Sequence, residues 1–201
     1  MQDLLINIMS KYGYIGVFFL ILVENIFPPI PSEVILLVAG FMTHSSNLSV
    51  PLLILTSTFS SLFGGFLLYY LGRMLNKERM EKIVKSKIGK ILHLKINDIN
   101  KSIDWFNKRG SISVFFGRCI PIIRSLISIP AGISKMNITT FTIYTFCGSL
   151  IWNTILISLG KIFQSNWIVI TKYLKIYKEY VIIILIIGLV IYIFKKILKK
   201  D

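Results

Sequence analysis

Two windows of this chain are long, apolar and free of charge: Leu48–Gly72 and Met136–Gly160, 25 residues each. About 20 such residues cross the hydrocarbon core of a bilayer. Within that core every backbone N–H and C=O must be met inside the protein, which leaves helices or closed barrels. Uninterrupted apolar runs of this length are helices. A third run, Tyr180–Phe194, is shorter, but Lys178, Lys195 and Lys196 flank it and can snorkel to the two interfaces. With 54% of its 201 residues hydrophobic, the chain reads as a single all-α integral membrane domain, 1–201, with about three full transmembrane helices.

The formal charge of +14 does not point to nucleic acid. Arg73–Arg109 holds 11 of the 23 basic residues, and four more lie in Lys195–Lys200. Basic clusters beside spans orient a membrane protein and attract anionic lipid surfaces. In the basic segment, 73–110, Met80, Val84, Ile88, Ile91 and Leu92 keep helical spacing, with lysines on the other faces. The expectation there is amphipathic helix on the cytoplasmic surface. The N-terminal stretch lacks a basic leader and a clear cleavage site, so it reads as retained. Cys119 and Cys147 lie in apolar stretches and read as packing thiols.

Between the spans the apolar sequence is broken twice. Pro28, Pro29 and Pro31 separate Tyr12–Phe27 from Val34–Phe41, and Pro121 and Pro130 interrupt Ile112–Ile133. The two regions resemble each other. Each ends in Ala-Gly, at Gly40 and Gly132, and each is followed by a span ending in Leu-Gly, at Gly72 and Gly160. This suggests a first repeat at 12–72, a second at 111–160 and a C-terminal span at 176–198. With the basic segment cytoplasmic, the repeats run in opposite senses, as two opposed re-entrant helical hairpins in an inverted repeat. Proline-broken segments in matching halves point to a transporter's binding site.

Charge inside these segments is sparse and sorted by sign. Between Tyr12 and Gly72 the only charged residues are Glu24 and Glu33; between Ser111 and Ser134 they are Arg118 and Arg124. A charge at bilayer depth costs about 2.5–3.5 kcal/mol even on insertion scales. Four left alone would rival the stability of a domain. The economical arrangement brings the two segments together, acids paired with guanidinium groups around a polar interior. Arginine presents a fork suited to phosphate oxygens, which makes Arg118 and Arg124 candidate substrate ligands. A carboxyl between burial and a nearby cation is poised to titrate, which makes Glu24 and Glu33 candidates for proton coupling. Pro28, Pro31, Pro121, Gly117 and Gly132 read as scaffold, and Asn153 as a mid-span partner for a hairpin carbonyl. Tyr69 and Tyr70, near a span end, read as interfacial belt.

The stretches "ENIFPPIPSE", "FFGRCIPIIRS", "PAGISKM" and "GSLIWNTILISLGK" together resemble the DedA family of bacterial inner-membrane proteins, over roughly residues 12–163. The resemblance implies facing re-entrant loops and translocation of a membrane lipid across the plasma membrane. The favoured substrate is undecaprenyl phosphate, in a process linked to the proton motive force. It also implies functional roles for Glu24, Glu33, Arg118 and Arg124. Members often carry an acid in a G-D-x3-Y-x2-G pattern, where this chain has Gly65, before Tyr69 and Gly72. Alternative readings are a phosphatidylethanolamine translocase or scramblase, and a membrane assembly or scaffold protein without transport. An enzyme is not expected: Cys119 and Arg124 are one residue too close for a phosphatase loop, and the chain has only two histidines. The expected partners are membrane lipids and a coupling proton or sodium ion, with no cofactor, metal or nucleic acid.

Overall fold

The computed structural model describes residues 2–26, 32–75, 110, 112–121 and 123–163. The described part of the chain is helical, and Met1–Ile162 forms one compact unit. Its elements are α1 (Gln2–Ile26), α2 (Ser32–Met42), α3 (Val50–Met74), α4 (Ile112–Arg118), α5 (Ile123–Leu126), α6 (Ser128–Ile133) and α7 (Ile138–Ile162). Three of the described helices, over Leu4–Ile26, Val50–Met74 and Ile138–Ile162, are long and apolar enough to cross a membrane. One of the three is α1, which begins ten residues before the expected Tyr12 and bends at Gly13, whose φ of 54° is open to glycine. The expected amphipathic segment, the C-terminal span, Pro28 and Pro31 lie outside the described residues.

Helices α3 and α7 turn large apolar side chains outward and bury a stripe of small and polar residues, unlike the helices of a soluble bundle. On α3, Leu52, Leu55, Phe59, Phe63, Leu67 and Tyr70 are exposed. The opposite face buries Ser57, Ser60, Ser61, Gly64, Gly65 and Gly72. On α7, Ile143, Ile151, Ile155 and Leu159 face out, while Thr145, Gly148, Ser149, Asn153 and Gly160 are buried. Lipid gives apolar faces no reason to leave it, so small residues that allow close backbones hold the helices together.

The packing crosses between the halves. α2 lies on α7, and α6 lies on α3. A Cβ at Gly40 would collide with the carbonyl oxygen of Ile157, and one at Gly160 with that of Leu37. The other crossing repeats this: a Cβ at Gly132 would meet the carbonyl of Tyr69, and one at Gly72 that of Ile129. Matching residues in the sequence make matching contacts. The likeness extends to α1 and α4. Ser60 on α3 donates to the carbonyl of Phe18, and a Cβ at its counterpart on α7, Gly148, would lie 2.8 Å from the carbonyl of Phe115. Val17-Phe18-Phe19 and Val114-Phe115-Phe116 both bury the valine and set the two rings edge to face.

Two local expectations on the prolines hold and one on a tyrosine is corrected. Pro130 marks a slight interruption: it sits in the first turn of α6, and its missing N–H falls at the one-residue gap, Ile127, that divides α5 from α6. Pro121 marks a break. α4 ends in i→i−3 bonds at Cys119 and Ile120, and the next helical bond runs from Arg124 N–H to the Ile120 carbonyl. Tyr69 is fully buried, not interfacial; its hydroxyl donates to the Met136 carbonyl and accepts from Arg73 at 3.0 Å.

Candidate functional site

The four lone charges sit at helix ends beside the chain breaks. Glu24 is in the last turn of α1 and Glu33 in the first turn of α2. Arg118 closes α4, and Arg124 is the second residue of α5. All four are buried: Glu24 is 4% exposed, Glu33 7%, Arg118 0% and Arg124 1%. They occupy one interior. Ser125, next to Arg124, donates to Glu24 Oε1 at 3.5 Å, and Glu24 lies within electrostatic reach of Arg124, Glu33 and Arg118.

The expected direct pairing of acids with arginines is absent among the described residues; neutral groups stand between them. Arg118 donates from Nη2 to Ser128 Oγ at 2.7 Å and from Nη1 to Asn25 Oδ1 at 3.5 Å. Arg124 donates from Nη2 to Ser61 Oγ at 3.0 Å. Asn25 links the two signs: its amide nitrogen donates to Glu24 Oε2 at 3.4 Å while its oxygen faces Arg118. Glu33 accepts from Ser32 at 3.4 Å. The Nε atoms of both arginines and Nη1 of Arg124 have no partner among the described residues. Two guanidinium groups thus hold their places with part of their donor capacity unused, which is the condition for receiving an oxoanion.

Depth follows from Ser61. It is the twelfth of the 25 residues of α3, a helix about 38 Å long at 1.5 Å per residue. A span centred on a hydrocarbon core of about 30 Å puts its twelfth residue near the midplane, and the Arg124 head lies with it. α3 and α7 run antiparallel at this level. Asn153 Nδ2 donates to Thr58 Oγ1 at 3.2 Å, and a Cβ on Gly65 would lie 3.5 Å from Thr145 Cγ2. That register sets Ser61 opposite Ser149, itself the twelfth residue of α7.

Asn153 therefore reaches α3, not a hairpin carbonyl as its mid-span position suggested. Gly117 packs against Ile127, and Gly132 against the α3 backbone. The sequence reading missed Asn25, Ser61, Ser125 and Ser128, the neutral partners. Asn25 had a signal, being an amide inside an apolar run beside Glu24. The serines had none, since small hydroxyls are common on any tightly packed membrane helix.

A family model described as the VTT domain matches residues 30–162. A protein of Lactococcus lactis subsp. cremoris (strain MG1363) named "Alkaline phosphatase-like protein" is 47% identical over 100% of this chain and 96% of its own. "Undecaprenyl phosphate transporter A" of Staphylococcus aureus (strain NCTC 8325 / PS 47) is 36% identical over 100% of this chain and 98% of its own. The Bacillus subtilis (strain 168) protein of that name is 27% identical over 92% and 88%. No solved structure matches.

Proposed function

Because the chain belongs to the VTT-domain (DedA) family of multi-pass plasma-membrane proteins, we propose that it moves a lipid with a phosphate head, undecaprenyl phosphate, across the membrane. The observation that carries this reading is the pair of buried guanidinium groups near the midplane, with three of their nitrogens unpaired. Arg118 and Arg124 bind the phosphate, and the prenyl tail stays in lipid. The names of the staphylococcal and bacillar relatives supply the substrate.

Glu24 and Glu33 balance the arginines, so the empty site sums to zero charge. A phosphate entering it brings an excess of negative charge into a poorly hydrated interior. Taking a proton onto one of the carboxylates offsets part of that excess, which couples loading to proton uptake and transport to the proton motive force. The architecture in this reading is two opposed re-entrant hairpins in an inverted repeat. The matched crossings of Gly40 with α7 and Gly132 with α3 support it, as does the antiparallel register of α3 and α7.

The test is transport by the purified chain in liposomes, with labelled prenyl phosphate in one leaflet and a pH gradient of either sign. Transport at the wild-type rate by both Arg118→Gln and Arg124→Gln overturns the reading. Glu24→Gln should remove dependence on the gradient. The lactococcal relative's name favours phosphomonoester hydrolysis as a second reading; release of inorganic phosphate in the same vesicles would select it. Movement of phosphatidylethanolamine in its place would select a phospholipid scramblase, and neither activity a scaffold.

A further inference from the structure

Two buried hydroxyls on α7 have no hydrogen-bond partner among the described residues: Thr145 Oγ1 and Ser149 Oγ. They lie four residues apart, one turn, on the same face of the helix. A buried hydroxyl left unsatisfied is destabilising, and valine or alanine would serve packing better at both positions. Their place explains them. The methyl of Thr145 and Nη2 of Arg118 both border the place a Cβ on Gly65 would take, so Thr145 stands beside the Arg118 head. Ser149 follows Gly148, which packs on the stem of Arg118: a Cβ there would lie 2.9 Å from Arg118 Cβ. Across from Ser149 is Ser61, the acceptor for Arg124. Both residues thus stand on the face of α7 that packs beside the two arginines.

We infer that Thr145 and Ser149 form the hydroxyl arm of the headgroup seat, donating to the oxygens of a phosphomonoester held by Arg118 and Arg124. This rests on the transport reading and narrows it to a class of head. The unpaired donors offer six hydrogens: one on each Nε, two on Nη1 of Arg124 and one on each hydroxyl. Three terminal oxygens accept six at two apiece. A phosphodiester has only two terminal oxygens and leaves donors unmet in a dry site, which penalises it. The hydroxyls add donors without adding charge, so they read the number of oxygens while the arginines read the sign.

The experiment uses the full chain in liposomes, with a labelled prenyl monophosphate and a labelled phosphodiester lipid offered separately. Ser149→Ala and Thr145→Val should each slow monophosphate transport about tenfold, the scale of one lost hydrogen bond to a charged partner. They should also narrow the preference for monoester over diester. Ser149→Thr, which keeps the hydroxyl, should recover most of the loss. Thermal unfolding in detergent separates function from structure: both deletions should leave the midpoint unchanged or raise it, because the hydroxyls have no partner among the described residues. Wild-type transport by both deletions, with Arg124→Gln inactive, overturns this inference and spares the transport reading. A loss of transport matched by a lower midpoint in both deletions overturns it as well, since the hydroxyls are then structural. If Arg124→Gln also transports normally, the reading beneath it falls.

Discussion

The Arg118 guanidinium lies against Gly65, so closely that a methyl group at residue 65 would strike its Nη2 atom. The missing side chain makes the slot in which the guanidinium rests, with Ser128 at its far side. Gly65→Ala should therefore separate stability from function. Alanine favours a helix over glycine by about 0.8–1 kcal/mol, and the flexible end of an arginine can swing aside. The unfolding midpoint should hold or rise, while transport of a prenyl phosphate falls severalfold as Nη2 leaves Ser128. Equal transport by wild type and Gly65→Ala would remove this residue from the site.

The two glycine crossings should behave differently. At Gly40 and Gly132 an added methyl meets backbone carbonyls, which cannot swing away. Gly40→Ala and Gly132→Ala should each destabilise the fold by about 1–3 kcal/mol, the usual cost of overpacking a closed interior. Detergent unfolding of the two variants checks this, and the matched geometry calls for similar losses.

Asn153 joins the central helices through one bond to Thr58, and its Oδ1 has no partner among the described residues. Asn153→Leu loses the bond and relieves the orphaned oxygen. The net loss should stay below about 1 kcal/mol, in keeping with measured interhelical bonds in membranes. A larger fall in the unfolding midpoint would mean that Oδ1 also carries a contact in the folded protein.

Lys135 follows α6 with a φ of 55°, its N–H bonded to Gly132 O and that of Met136 to Ala131 O. This is the left-handed helix stop that glycine fills best. Lys135→Gly should raise stability by about 0.5–1 kcal/mol, read as a higher unfolding temperature. Its exposed side chain makes a change in transport unexpected.

Much of the site was legible because charge is so costly in lipid. Four lone ionic residues in proline-broken segments could hardly be placed anywhere but together. Their partners were less legible: Ser61 and Ser128 look like ordinary packing residues until an arginine is found beside them. The fold was readable where it depends on hydropathy, as in α3 and α7. Helix α1 was misjudged because Asp3, Asn7 and Lys11 dilute its first half and conceal its length. The crossing of α2 onto α7 and α6 onto α3 was hidden for another reason. Periodicity shows which face of a helix is buried, not which neighbour buries it. Tyr69 failed in the same way, since closeness to a span's end does not show which way a phenol turns.

All the acid of this interior comes from the first half of the chain and all its guanidinium from the second. During synthesis the early segments must enter the bilayer before Arg118 and Arg124 exist to answer Glu24 and Glu33. The nascent first half is thus an unfinished object, provisional until the later residues emerge and close against it. Severed halves produced in one cell should survive only as companions, each rescuing the other from degradation.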